Sequence, residues 1–297
     1  MVDITHKSNT LRVATAQAIV KVGSQETIDL INNGQIPKGD VFEMSRAAGL
    51  LGVKKTPDLL PDCHPLPIEY TGVEYEIDGL EITILMTVKT IYKTGVEVEA
   101  MHGASIVALN MYDMLKPVDK EVEISTIKLL KKTGGKSTYH KPSKGLSCKI
   151  VVCSDSVSSG DKEDRGGKLL LSKMEEFGLE ASYEVIPDSS ELIQKQVDEL
   201  ATDLLIFTGG TGVGPRDITP DTVRPLLDAT LHGVEEEMRR YGQERMPYAM
   251  LSRSVAGIKN CKVILAVPGS TGGVSDCLNA IFPHLFHVFH VLKGGGH

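Results

Sequence analysis

The residues of this 297-residue chain best equipped for chemistry are 205–221, LIFTGGTGVGPRDITPD. An apolar run ends in Gly209, Gly210, Gly212 and Gly214 and then meets Arg216, Asp217, Thr219 and Asp221, the pattern of a buried strand entering an anion-binding turn. Without a Cβ, glycines can take positive φ and aim several backbone N–H groups at one anion, and Thr208 and Thr211 add hydroxyl donors. Thr219-Pro220 reads as a helix start with Thr219 as N-cap. The spacing fits neither a P-loop nor the dinucleotide fingerprint, and on glycine count alone an ordinary tight connection is the plain alternative. The acids tilt that balance. A carboxylate beside an anion cradle is awkward without a divalent cation between them, so Asp217 or Asp221 suggests Mg²⁺ bridging to phosphate. A second pair with chemical potential is Asp113 and Lys116, spaced i, i+3 on a helical pattern, where a carboxylate and a lysine can exchange a proton. In isolation such a pair is ordinarily a surface ion pair.

The elements that must position these groups follow two grammars. Residues 10–22 alternate as a strand, 24–33 read as a short helix closed by Gly34, and 40–55 as a helix with Val41, Met44, Ala48 and Leu51 at helical spacing. The proline-rich TPDLLPDCHPLP around Cys63 and His64 reads as non-helical loop. Two strands, 70–77 and 80–92, meet at Asp78-Gly79; a long helix over 95–115 and a last strand over 121–130 complete an α+β half. Residues 134–147 are polar and rich in Gly, Ser and Lys, as a linker is. Beyond them, strand and helix alternate at βαβ spacing, predicting a doubly wound α/β half with a largely parallel sheet. Ligands of such sheets bind at the strand C-termini, here Ser154-Asp155, Pro187-Asp188, Thr208-Gly209-Gly210 and Pro268-Gly269-Ser270. Asp188 and Asp217 could there bind a metal or handle a proton. The plain alternatives are that Asp188 caps a helix and that Asp155 is a turn residue.

Composition narrows the function. A net charge of −7 without a basic tail argues against bulk nucleic-acid binding, and the absence of tryptophan argues against a stacking surface for single strands. No apolar run approaches a membrane span and no signal-peptide core opens the chain, so a soluble cytoplasmic protein is expected. Five cysteines without a C-x-x-C pair indicate neither a disulfide framework nor a zinc site. His284, His287 and His290, three apart near the end, read as a helix face rather than a metal site.

Four motifs in order, VVCSDSVSSGDKEDRGG, VIPDSS, TGGTGVGPRDITPD and VPGSTGG, make residues 147–292 resemble the MogA/MoaB family of molybdenum cofactor biosynthesis. That resemblance implies a molybdopterin-binding domain that transfers AMP from Mg-ATP to the pterin's terminal phosphate, releasing pyrophosphate. It implies catalytic roles for Asp188 and Asp217, the latter at the metal, and ligand contacts from Asp155, Thr208, Gly209, Gly210, Thr211, Gly212, Asp221, Pro268, Gly269 and Ser270. Mg²⁺ and ATP are expected as cosubstrate, with no tightly bound cofactor. The family's late loop commonly carries a lysine where this chain has Thr271-Gly272-Gly273. A non-catalytic scaffold that holds molybdopterin is the rival reading.

The first half carries DCHP, KTGVEVEA, MYDMLK and GGKS, and residues 1–137 resemble the MoaC family, cyclic pyranopterin monophosphate synthases. Members convert cyclic 3′,8-dihydro-GTP to cyclic pyranopterin monophosphate with loss of pyrophosphate. The resemblance implies a ferredoxin-like α+β domain in which Asp113 is the catalytic acid/base and Lys116 its partner. It implies substrate contacts from Asp62, Cys63, His64, Glu97, Val98 and Glu99, and a triphosphate cradle of Arg12, Lys38, Lys54 and Lys132. Asp62 stands where members often have an apolar residue, and MHGAS replaces LTAxS, with His102 read as a packed helix histidine. The expected organisation is a synthase domain over 1–137, a linker over 138–146, and a molybdopterin domain over 147–297. Pterin and nucleotide small molecules are the expected partners, in a homo-oligomer, a trimer or hexamer. The two family reactions are not consecutive, so channelling is not implied.

Overall fold

The computed structural model describes residues 1–135 and 145–295. The chain forms two compact units, Met1–Tyr139 and His140–His297. The expected linker, 138–146, falls outside the described residues except for Gly145 and Leu146.

In the first unit the order is β1 (Thr10–Lys21), α1 (Gln25–Asn32), α2 (Val41–Leu59), β2 (Tyr70–Asp78), β3 (Glu81–Tyr92), α3 (Glu97–Leu115) and β4 (Glu123–Thr133). The sheet runs β2-β3-β1-β4, and every pairing is antiparallel. Alternation does the sorting: Ala14, Ala16, Ala18 and Val20 of β1 and Ile82, Ile84, Met86 and Val88 of β3 point into one core with α3. Small residues let α2 approach α3 closely, since a Cβ on Gly49 would lie 2.3 Å from Val107 and one on Gly103 2.5 Å from Val53.

Two expectations need correction here. Helix α2 continues through Thr56, Pro57 and Asp58 to Leu59, where a loop was expected. Pro57 lacks the N–H that would bond the Val53 carbonyl, and the Thr56 hydroxyl takes that carbonyl instead at 3.0 Å, so the helix survives its proline. Strand β4 also runs to Thr133 rather than 130, which brings Lys132 opposite Ala14 in the sheet.

The second unit contains β5 (Ser147–Cys153), α4 (Asp155–Ser158), α5 (Gly166–Glu176), β6 (Glu180–Ile186), α6 (Ser190–Asp198), β7 (Leu204–Thr208) and α7 (Thr219–Val223). After these come β8 (Ala229–Thr230), α8 (His232–Gln243), β9 (Val255–Lys259), β10 (Lys262–Val267), α9 (Thr271–Ile281) and α10 (His287–Leu292). The sheet order is β6-β5-β7-β10-β9-β8. The first four strands are parallel, and β9 and β8 extend the sheet antiparallel. Apolar cores lie on both faces: Ile150 packs with Leu170 and Val274, and Val151 with Ile193 and Val223. That two-sided burial is why β5 and β7 read as unbroken apolar runs. The antiparallel hairpin was not anticipated, because its turn is Asn260-Cys261, both at positive φ (50° and 57°), without the glycine that usually marks such turns. His284 lies in a 3₁₀ turn before α10, so the three late histidines do not share one helix. Among the described residues no helix is long and apolar enough to cross a membrane.

Candidate active sites

Strand β5 lies between β6 and β7, so the chain turns opposite ways at its C-terminal end and opens a crevice there. A cavity of about 1440 Å³ fills it, lined by Asp155, Asp188, residues 208–217 and residues 268–273. At its base Gly209 (φ 102°) and Gly210 (φ 59°) make the turn after β7, and side chains there would strike the Cys153 carbonyl at 2.3 Å and the Thr219 hydroxyl at 2.5 Å. Gly212 and Gly214 are glycine for another reason: a Cβ on either would stand 2.8 Å from the Asp217 carboxylate. Asp217 curls into its own loop and accepts the Gly214 N–H at 2.8 Å. Thr219 does not act as an N-cap. Its hydroxyl donates to the Gly209 carbonyl at 3.0 Å, and α7 is a single five-residue turn. Thr208 is likewise buried, donating to the Pro268 carbonyl at 2.9 Å.

The acids are arranged around that turn. Asp155 and Asp188 exchange bonds, the Asp188 N–H donating to Asp155 at 3.0 Å and the Asp155 N–H to Asp188 at 3.2 Å. Ser189, not Asp188, caps α6. This leaves the buried Oδ1 of Asp188 without a hydrogen-bond partner. Burial raises the Asp188 pKa from its ordinary value, with the Asp155 and Asp217 carboxylates adding to the rise. An orphaned carboxylate oxygen among acids suits a cation. No group of three His, Cys, Asp or Glu able to hold a metal occurs among the described residues, so a Mg²⁺ held at Asp188 would need its other ligands from a bound molecule such as a nucleotide phosphate. Asp217 stands beside Asp188 in the same lining, with its Oδ2 taken by the Gly214 N–H.

Asp221 corrects another expectation. It lies outside the cavity lining and pairs with Arg253 at 2.8 and 2.9 Å. Arg253 also donates to the Gly212 carbonyl at 2.7 Å and to the Asp217 carbonyl, clamping the glycine loop from behind. Sequence reasoning missed Arg253, because a lone arginine in MLSRSVAG carries no motif.

In the first unit most of the expected site residues lie toward one or other end of α3. At its C-terminal end Asp113 is held by Lys116 at 2.7 Å and by Lys38 at 2.5 Å. Those two hydrogen bonds, Lys116 first, depress the Asp113 pKa to about 2, and Asp113 in turn raises that of Lys116. At the N-terminal end Glu99 is buried and accepts the Cys63 thiol at 3.1 Å. Burial and this carboxylate push Cys63 up to about 12, so it is a neutral donor rather than a thiolate. Lys132 pairs with Glu97 at 3.2 Å, and Arg12 donates to the Tyr92 and Lys93 carbonyls. His64 bonds the Val2 carbonyl at 2.8 Å, and Val98 is exposed. Asp62 faces solvent against the N-terminal ammonium at 2.9 Å, apart from the Cys63–Glu99 contact. His102 packs as expected, its Nδ1 3.0 Å from the Thr56 hydroxyl.

The four-residue triphosphate cradle does not assemble within one protomer. Lys38 stands at the Asp113 end, Arg12 and Lys132 near the Glu97 end, and Lys54 is exposed along α2. Glu97 and Asp113 are sixteen positions apart on one helix, about 24 Å at 1.5 Å per residue.

Fold and sites together define a two-unit protein, one unit carrying a cluster of lysines and carboxylates and the other an α/β strand crevice. The MoaC family matches residues 1–135, and a probable molybdopterin binding domain matches residues 149–287. The chain is 39% identical to the molybdenum cofactor biosynthesis bifunctional protein of Chlorobaculum tepidum, over 100% of this chain and 96% of that one. Its first half is 50% identical to the cyclic pyranopterin monophosphate synthase of Clostridium perfringens strain 13, over 46% of this chain and 87% of that one. The crystal structure of the molybdopterin biosynthesis enzyme MoaB from Thermus thermophilus aligns at 34% identity with a TM-score of 0.46, over 50% of this chain and 97% of that one. The chain belongs to the family of bifunctional molybdenum cofactor biosynthesis proteins.

Proposed function

We propose that the first unit is a cyclic pyranopterin monophosphate synthase and the second a molybdopterin adenylyltransferase. The observation that carries the second assignment is the orphaned, buried Oδ1 of Asp188 beside the Gly209-Gly210 turn. Mg²⁺ held there with ATP would screen phosphate charge as the pterin's terminal phosphate displaces pyrophosphate from the α-phosphorus. The chain itself orients the loop through Arg253 and Asp217 and keeps Asp155 and Asp188 in register.

For the first unit, the strand order and the β-α-α-β-β-α-β succession support the ferredoxin-like reading. Asp113 held between two lysines supports proton handling with Lys116 as partner. The distance along α3 supports a site shared between protomers, with Glu97 and Glu99 of one facing Asp113 and Lys116 of another. That arrangement would also gather the dispersed cradle lysines, and it accords with a homo-oligomer. Pyrophosphate release and mass identification of the pterin product, with molybdopterin and Mg-ATP added to the pure protein, test the second assignment; binding without release would make that unit a scaffold.

A further inference from the structure

The crevice has a second pole, where Met238 of α8, Arg245 just beyond that helix, and Asp276 and Cys277 of α9 join the lining and Tyr248 stands exposed. Met238 and Cys277 are buried and apolar. Arg245 is anchored: its guanidinium lies 3.3 Å from the Tyr241 ring centroid and donates to the Tyr241 carbonyl at 2.7 Å. Asp276 is different. It is half-buried in the cavity wall, and no hydrogen bond or salt bridge to it is found among the described residues. A carboxylate drawn out of water without a partner costs stability unless a ligand supplies donors. Burial accordingly raises its pKa, while the Arg245 charge opposes the rise.

We propose that Asp276 is the specificity-determining residue for the heterocycle, accepting the paired N–H donors of a 2-amino-4-oxopyrimidine edge. This rests on the reading of the second unit as a pterin-binding enzyme and adds which residue selects the pterin. The complementarity is chemical. A 2-amino-4-oxopyrimidine presents the 2-amino N–H and the N3–H side by side, matching the two oxygens of a carboxylate. Adenine offers one donor beside one acceptor and leaves a carboxylate oxygen opposed to a lone pair. The geometry therefore divides the cavity between a heterocycle pole at Asp276 and a phosphate pole at the glycine turn and Asp188. Thr271, Gly272 and Gly273, the first residues of α9, also line the cavity, and nothing stands within 4 Å of a Cβ on Gly272.

The test titrates the full chain with two fluorescent probes, pterin and lumazine, the latter carrying oxygen in place of the 2-amino group. The chain has no tryptophan to interfere. Wild type is expected to prefer pterin by about tenfold or more, the effect of leaving a buried acceptor opposed. In Asp276→Asn, which exchanges one acceptor for a donor, the preference falls to within about threefold while Mg-ATP affinity stays unchanged. Ligand bound at the first unit is the same in both proteins and drops out of the difference. Asp276→Ser serves where Asp276→Asn does not fold. Wild type without a preference, or a preference kept in the variant, overturns the assignment. The adenylylation assay reads the parent proposal separately: turnover with the preference kept in Asp276→Asn removes Asp276 alone, and lost preference without wild-type turnover removes only the transfer reaction.

Discussion

Arg253 gives the sharpest prediction, because its two kinds of contact differ in value. Its bidentate pair with Asp221 is largely open to water, the Asp221 side chain being 68% exposed and that of Arg253 35%. Such a pair contributes about 1 kcal/mol or less. Its bonds to the Gly212 and Asp217 carbonyls are part-buried and charge-assisted. Hydrogen bonds to charged groups contribute roughly 1.5–3 kcal/mol each, and discounting for partial exposure leaves about 2–4 kcal/mol for the two. If loop order is required only in the transition state, Arg253→Met lowers kcat/KM for adenylyl transfer by on the order of 10²-fold, and Asp221→Ala by less than about fivefold. Steady-state pyrophosphate release with molybdopterin and Mg-ATP measures both, and the first unit's reaction in the same preparation reports folding. Equal losses in the two variants, or an Arg253→Met loss shared by both activities, would refute the clamp.

Two further outcomes follow from the first unit. Asp113 has a folded pKa near 2, below the unfolded carboxylate value of about 3.9, so its lysine contacts stabilise fully above that value and are lost as pH falls toward 2. The difference in thermal midpoint between wild type and Lys38→Met should therefore be present at neutral pH and shrink steadily as pH falls from about 4 through about 2; a difference that grows on acidification would put Asp113 in another pairing. The shared site predicts that Glu99→Ala and Asp113→Ala proteins, each inactive alone, regain partial synthase activity once mixed and subunits exchange. Demonstrated exchange without recovery would mean that both groups act within one chain.

Much of this was legible because glycine, proline and acid spacing report local physics. Gly209-Gly210, the Asp78-Gly79 hairpin and the apolar runs of β5 and β7 each stand where expected. What was not legible depends on contacts distant in sequence. Pro57 reads as a helix breaker until the Thr56 hydroxyl is seen on the Val53 carbonyl. Asp221 reads as a ligand residue until Arg253, thirty-two positions on, is folded against it. Gly212 and Gly214 read as anion donors, whereas their missing side chains make room for Asp217. The split of the MoaC-like residues between the ends of α3 follows from helix rise once Glu97 and Asp113 stand on one nineteen-residue helix.

The central claim is that one chain holds two chemistries in two units, and crossed variants test it most directly. Wild type, Asp113→Ala and Asp217→Asn are each given cyclic 3′,8-dihydro-GTP and, separately, molybdopterin with Mg-ATP, and the products are identified by mass. The account predicts both products from wild type, only adenylylated molybdopterin from Asp113→Ala, and only cyclic pyranopterin monophosphate from Asp217→Asn. Loss of both products in either variant, or no adenylylated product from wild type, would contradict it.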